Sequence, residues 1–460
     1  MLAYSISNIN GTIELSCSDN RTIKSNSWED ISSFLLEPTD MAVVFNIDKF
    51  VDIITSTLPK KEQKSIQQND RTLTHDRRKV YYQPGRMFGL NHINFYGLSR
   101  YADTPVDSPH RLLELGQQVI EAFKVFGIEP TKLTSPVAVY ADVLSKVNFP
   151  RACDLPASAF DLIDQCSRIM SQEWREVYQL GHWNAGEIWD YDISGAYPGI
   201  LARLPDITDA KFFDSKVMPQ KYTWGLLRGF LDIRKDVTPF EYGKHPAIIT
   251  TDQLWFVNRY HLGAFKMEQG WFFHYPHSFF KSPFEDTTNA LYSLRQHNNP
   301  LVSKIAKGIA VGIGGRLAQT YDDGKLGEDF NSIYSVMMTT RCSTKVADFI
   351  YRNQMENDVV SVLVDGVLAT KKLELPEGGM GKWRRNPDSP VLVLSLLYQW
   401  LADKRPANMA YPEIMSLISE SPKSFVYGEV DFKLLEYNRR FENLPKNGQE
   451  LVENRYKSHP

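Results

Sequence analysis

The sequence predicts an α+β protein of several packed modules, and three observations carry that prediction. At 460 residues the chain is too long for one simple core and suits roughly two to four modules. Hydrophobic residues make up 42%, charged residues 23% and aromatics 12%, a globular composition that excludes a mainly disordered chain. The hydrophobic period also changes along the sequence, from β-rich alternation to helical spacing and then to strands and helices intermixed.

Over residues 1–105, β-rich runs such as AYSISNINGTIEL, MAVVFNI and KVYYQPGRMFGL alternate with polar turns, which reads as an α/β domain. The stretch KKEQKSIQQNDRTLTHDRRK, residues 60–79, is expected as a loop carrying the basic cluster Arg77, Arg78 and Lys79. From 106 to 180 the text is helical and connective. In SPHRLLELGQQVIEAFKVFG, Ser108 is placed to cap a helix whose Leu112, Leu115, Val119 and Phe123 share a face. GEIWDYDI then reads as a strand, followed by mixed text to about 280 and two helical stretches to 318. A helix is expected near 333–354, and a β-hairpin at 359–370 with Asp365-Gly366 at its turn.

Charge excludes little: 52 basic against 55 acidic residues leave a net charge of -3, so no overall basicity marks a nucleic-acid binder, although positive charge confined to one cleft is compatible with one. Cys17, Cys153, Cys166 and Cys342 lack C-x-x-C spacing, which speaks against a zinc site or disulfide framework and for a reducing compartment. The opening MLAYSISNINGTIELS has no basic start followed by an apolar core, and no run of about 18 apolar residues occurs, so a cytoplasmic protein with no membrane partner is expected.

Three segments carry candidate chemistry. In EIWDYDISGAYPGI a β-rich run delivers Asp192 to its end, where Gly195 and Pro198 turn the chain. A carboxylate there, beside the backbone amides of Ser194, Gly195 and Ala196, suits a metal and a triphosphate. The plainer reading is a helix cap. In DVVSVLVDGVLAT the apolar run meets Asp365, which alone is a turn residue but together with Asp192 makes a pair able to share two metal ions. In NPLVSKIAKGIAVGIGGRLAQ, Lys304, Lys307 or Gly308, Val311 and Gly315 fall along one helical stripe. Each interior glycine costs about 1 kcal/mol against alanine, so close approach of a nucleic acid, or tight packing, should offset Gly308, Gly312, Gly314 and Gly315. Arg295, Lys304 and Lys307 are placed to meet triphosphate oxygens, with Arg316 adding charge.

In this order the segments resemble the palm and fingers motifs of family B DNA polymerases, particularly the compact ones of phages and mobile elements. YDISGAYPGI is similar to the palm motif D-x-x-S-L-Y-P, with Asp192, Tyr197 and Pro198 in place. KGIAVGIGGRL is similar to the fingers motif K-x-x-x-N-S-x-Y-G, with Lys307 and Gly315 matching and Val311, Gly312 and Gly314 standing where Asn, Ser and Tyr are usual. LVDGVL is similar to the palm motif D-T-D-G-V, with Asp365 as its second aspartate and Leu363 in place of the first. YQLGHWNAGEIW resembles the Y-x-G-G linking region, and MGKWRR, with Lys382 and Arg384, resembles a strand that approaches the primer. The resemblance covers about residues 175–390.

The resemblance implies a right-hand fold: palm with an antiparallel sheet at 181–280 and 331–390, helical fingers at 281–330, a short thumb at 391–460, and an RNase H-like or exonuclease-like α/β domain at 1–105. It implies that Asp192, Ile193 and Asp365 form the metal set, for two Mg²⁺ ions that Mn²⁺ can replace. Ser194, Gly195, Ala196, Tyr197, Arg295, Lys304 and Lys307 would bind the nucleotide, with the Tyr197 ring under the sugar. Gly312, Gly315, Arg316, Lys382 and Arg384 would meet primer-template DNA, with Lys404, Arg405, Arg439 and Arg440 on the thumb. SISNINGTIEL lacks the D-x-E pair that proofreading needs, so no 3′ to 5′ exonuclease is expected, and Asp48 and Asp52 read as surface or structural residues. The expected function is deoxynucleotide addition to a primer, alone or with other replication proteins. The alternative is a polymerase-derived binding or assembly protein without useful activity.

Overall fold

The computed structural model describes residues 1–128 and 147–393, apart from 10, 37–40, 69–72, 76–77, 84–86, 92, 100, 103–104, 107, 171–172, 276–281, 322–323 and 377, together with the strand segments 399–401, 424–427, 430–433 and 439–440. The chain divides into two compact units, Met1–Val147 with Ala290–Ile313 and Asn148–Asn289 with Gly314–Pro460.

The first unit holds an eight-stranded mixed sheet. Its elements are β1 (Leu2–Ile9), β2 (Thr12–Cys17), β3 (Thr22–Ser25), α1 (Trp28–Leu35), β4 (Met41–Val44), α2 (Ile47–Thr55), α3 (Lys60–Gln68), β5 (Leu73–His75), β6 (Arg78–Gln83), β7 (Met87–Leu90), β8 (Ile93–Gly97) and α4 (Pro109–Lys124). The order is β3-β2-β1-β4-β8-β7-β6-β5, with β1 parallel to β4 and β4 parallel to β8. Period-2 alternation turns Ile13, Leu15 and Cys17 of β2 inward. The core gathers Tyr4, Phe50, Phe88 and Phe95, with the rings of Phe50 and Phe95 stacked at 5.5 Å. In α4, Leu112, Val119 and Phe123 are buried as their spacing predicts, with Leu115 half-buried. Ser108 caps this helix through its carbonyl, which accepts the Leu112 amide at 2.9 Å, and not through its side chain.

The expected loop at 60–79 is corrected: Lys60–Gln68 is helical. Lys, Glu and Gln are strong helix formers, and Ile66, buried in the core, anchors them. Arg78 and Lys79 begin β6, while Arg77 lies outside the described residues.

The second unit contains α5 (Phe160–Ser167), β9 (Arg175–Val177), β10 (Gln179–Trp183), β11 (Trp189–Ile193), α6 (Ala196–Leu201), β12 (Lys211–Ser215), β13 (Trp224–Ile233), β14 (Gly243–Thr250), α7 (Thr251–Arg259) and β15 (Gly263–His274). After α8 (Glu285–Leu294) and α9 (Pro300–Leu317), whose residues divide between the units, follow α10 (Ser332–Arg352), β16 (Val359–Leu363), β17 (Gly366–Ala369), β18 (Trp383–Arg385) and β19 (Val391–Val393). The central feature is an antiparallel sheet in the order β18-β11-β17-β16-β9. Helix α10, capped by Asn331 accepting the Tyr334 amide, lies against it. Its Phe349 ring meets Tyr191 at 5.7 Å and stacks on Trp383 at 3.9 Å. In a second antiparallel sheet, β12-β15-β13-β14, the chain passes from β14 to β15 through α7, which starts at a capping box of Thr250 and Gln253. Arg439–Arg440 pairs with Gln179–Leu180, and Lys404 and Arg405 lie outside the described residues. Among the described residues no helix is long and apolar enough to cross a membrane.

Candidate active site

Alternation along β11 buries Tyr191 and Ile193 and leaves Asp190 and Asp192 on the opposite side of the strand. In the register with β17, Asp192 faces Gly366, and the Ile193 amide donates to the Asp365 carbonyl at 3.1 Å. Asp192, near the end of β11, and Asp365, in the turn that leads into β17, thus lie one position apart across this pairing. The register places the backbones of the two predicted aspartates side by side.

The hairpin that carries Asp365 turns one residue earlier than the Asp-Gly dipeptide suggests. Leu363 pairs with Gly366, so the turn residues are Val364 and Asp365, and Val364 takes φ 58°. That left-handed conformation costs a non-glycine residue about 1–2 kcal/mol. Packing holds it in place. The Val364 amide donates to the Trp174 carbonyl at 2.9 Å, and the Cys342 thiol donates to the Val364 carbonyl at 3.7 Å.

Arg384, expected at nucleic acid, instead sits opposite Asp192 in the register of β18. Its Nη2 and Nε donate to Asp192 Oδ2 at 2.7 and 3.2 Å. The backbone after β11 is stitched to the neighbouring segment: the Ser194 amide donates to the Lys382 carbonyl at 2.9 Å, and the Gly381 amide donates to the Ser194 carbonyl at 2.6 Å. Of the three amides expected at a triphosphate, that of Ser194 is therefore committed to the protein. Lys345 Nζ donates to the Gly381 carbonyl. Burial, helped by the positive charges of Arg203 and Lys382, lowers its pKa below the ordinary lysine range. The Lys382 side chain is exposed.

Gly195 starts α6 with φ 58°, and Asp192 is not its cap. Tyr197, on the first turn, donates from its hydroxyl to Glu173 Oε1 at 2.6 Å. Burial first, then that acceptor and the negative charges around it, Asp365 among them, raise the phenol far above its ordinary pKa.

The glycine-rich helix divides by position. Lys304 is half-buried, while Lys307, Val311 and Gly315 are exposed, so the predicted stripe is an outward face. Gly312 is buried and does not share it. A Cβ at Gly314 would lie 2.6 Å from Met338 Cε, so helix packing accounts for that glycine; at Gly315 it would meet nothing within 4 Å. Arg316 is also corrected: it pairs with Asp329 at 3.2 Å and donates to Gln319 at 2.8 Å, which ties the end of α9 to the following loop. Arg295 lies over the Tyr292 ring at 5.8 Å. Arg295, Lys304, Lys307 and Gly312 belong to the first unit and both aspartates to the second.

Among the described residues no group of three or more His, Cys, Asp or Glu side chains is arranged to hold a metal. Two carboxylates with a backbone carbonyl from Ile193, whose side chain is buried, are a small set of hard oxygen donors. That set fits Mg²⁺, which keeps several waters and takes one or two carboxylates plus substrate phosphates. Sequence reasoning missed Glu173 and Lys345, which stand in no recognisable spacing, and missed the Arg384–Asp192 pair, which joins residues 192 positions apart.

No protein-family model matches the sequence, and no curated protein matches it. Solved structures do. The orthorhombic form of phi29 DNA polymerase aligns over 91% of this chain and 94% of that one, with a TM-score of 0.56 and 11% identity. Its ternary complex with primer-template DNA and incoming nucleotide aligns over 85% of each chain, with a TM-score of 0.55 and 11% identity. The fold is similar to that of phi29 DNA polymerase. A family B DNA polymerase from the archaeon Pyrobaculum calidifontis matches more loosely, at 11% identity and a TM-score of 0.42 over 88% of this chain and 59% of that one.

Proposed function

We propose that the chain is a template-directed DNA polymerase that adds deoxynucleotides to a primer 3′-hydroxyl, without 3′ to 5′ proofreading. One observation supports this most: the register that sets Asp192 beside Asp365, within a fold similar to that of phi29 DNA polymerase. In this reading Asp192, Asp365 and the Ile193 carbonyl hold two Mg²⁺ ions, which when bound stabilise charge on the attacking and leaving oxygens of an in-line displacement. Tyr197 packs under the sugar. Gly195 and Ala196 meet the triphosphate, and Gly315 and Lys382 meet primer-template DNA. Arg384 neutralises Asp192 until a cation takes its place. The sheet of β9, β11 and β16–β18 with α10 serves as palm, α8 and α9 as fingers, residues from 391 as a short thumb, and 1–105 as an exonuclease-like domain that has lost its acids. The setting is the cytoplasm, that of the host if the chain is phage-encoded.

The experiment is primer extension with the natural chain, Asp192→Asn and Asp365→Asn. Each substitution should cut extension about a thousandfold, roughly 4 kcal/mol of lost transition-state stabilisation. Extension that survives both substitutions removes the mechanism. A second reading, a polymerase-derived binding protein, is favoured by Leu363 in place of an acid and by the ion pair on Asp192. Duplex binding by the natural chain without magnesium-dependent incorporation selects it.

A further inference from the structure

Glu173 has no task in the reaction as read above, yet both of its carboxylate oxygens are engaged. Oε1 accepts the Tyr197 hydroxyl at 2.6 Å, and Oε2 accepts Arg175 Nη2 at 2.6 Å and Nε at 3.2 Å. Its place on the chain gives this a consequence. Glu173 immediately precedes Trp174, whose carbonyl receives the Val364 amide, and Arg175 stands opposite Leu363 in the strand register. It is therefore anchored on the hairpin that presents Asp365. Tyr197 belongs to the other segment, on the first turn of the helix that follows Asp192. The phenol–carboxylate bond joins the two segments that carry the aspartates.

A tyrosine ring turns about two side-chain torsions, and packing along one edge leaves it free to tilt. Tyr197 is only half-buried. The position of its Cδ2, 3.7 Å from where a Cβ at Gly314 would stand, shows that one ring edge passes close to α9. A hydrogen bond to a charged acceptor at the far end of the ring is shorter and about twice as strong as a neutral one. Arg175, by holding the second oxygen, keeps that acceptor from swinging away. The ring is thus gripped at its tip by a group on the segment that leads into β9.

We propose that Glu173 is a positioning residue that fixes the Tyr197 ring and thereby sets the discrimination between deoxyribose and ribose in the incoming nucleotide. This rests on the polymerase reading. A ring pinned at its hydroxyl cannot tilt aside for a 2′-hydroxyl, and a ring released from Glu173 can. Glutamine keeps an acceptor oxygen at the same reach and alanine removes it.

The test is kcat/KM for dATP and for ATP opposite template thymine. Glu173→Ala should lower the deoxy-to-ribo ratio about tenfold, as expected for loss of a hydrogen bond to a charged group, mainly by lowering the KM for ATP. Glu173→Gln should stay within about threefold of the natural chain, since its amide oxygen still accepts. Tyr197→Phe should match Glu173→Ala, and the double variant should fall no further, because both changes delete one bond. A ratio unchanged in both Glu173→Ala and Tyr197→Phe overturns the proposal, as does additivity in the double variant. Should Glu173→Ala fail to fold by its melting curve, the Gln and Tyr197→Phe arms decide the matter by the same ratio. A natural chain that incorporates neither nucleotide refutes the polymerase reading instead; calorimetric binding of dATP and ATP then reads the ratio directly. A preference for dATP that Tyr197→Phe removes keeps the Glu173 assignment, and equal affinities overturn it.

Discussion

Alanine at two adjacent positions of α9 should act unequally. At Gly315 a Cβ meets nothing within 4 Å, so Gly315→Ala collects the helix-propensity gain of up to about 1 kcal/mol. At Gly314 the same atom falls 2.6 Å from Met338 Cε, 3.3 Å from its Sδ and 3.7 Å from Tyr197 Cδ2. Met338 is 2% exposed, but its terminal methyl is the far end of a flexible side chain, so displacing it costs about 1 kcal/mol, the low end of overpacking. The propensity term is common to both variants and cancels in their difference, so Gly315→Ala should be more stable than Gly314→Ala by about 1 kcal/mol. Urea denaturation of the two variants side by side measures this. Equal midpoints would refute the packing account of Gly314. The same pair tests the face of α9 assigned to nucleic acid. Gly315→Ala should bind primer-template DNA more weakly although it is the more stable protein, and unchanged DNA affinity would remove close approach of a strand as the reason for glycine there.

Two further outcomes are expected. Arg384→Ala should raise Mn²⁺ affinity up to about fivefold, because a half-exposed ion pair is worth at most about 1 kcal/mol and Asp192 no longer has to give it up; electron paramagnetic resonance of free Mn²⁺ reads this, and weaker binding contradicts the counter-cation role. Glu176 has its pKa raised above 4.5, chiefly by burial, despite hydrogen bonds from Tyr178 and Trp174. Above pH 4.5 the folded chain retains a proton that the unfolded chain has released, so this group withdraws stability as pH rises through the window up to its folded pKa. Glu176→Gln should therefore melt higher than the natural chain at neutral pH and converge with it in acid; a gap that widens in acid would reverse the sign.

Parts of the site were legible because they are local. A β-rich run ending at Asp192, a second apolar run meeting Asp365, and the outward stripe of Lys307, Val311 and Gly315 are all set by short periodicities that side-chain geometry imposes on strands and helices. The turn was misplaced by one residue because Asp-Gly is the stronger local signal. Val364 enters the left-handed region only because Trp174 and Cys342, distant in sequence, hold its amide and carbonyl. The polar run at 60–68 read as a loop because its helix depends on the one apolar anchor, Ile66, finding a core.

Sequence alone thus determined the α+β class, the hairpin and most of the principal helices, since each follows from spacing within about ten residues. Tertiary structure alone decided what the charges do. Arg384 and Arg316 carry the same guanidinium, yet one lies on Asp192 and the other on Asp329. Glu173 meets the Tyr197 hydroxyl only when β9 pairs with β16. Ion pairs and hydrogen bonds act over a few ångströms, so their partners are chosen by which strands and helices pack together, a choice that no short stretch of sequence encodes.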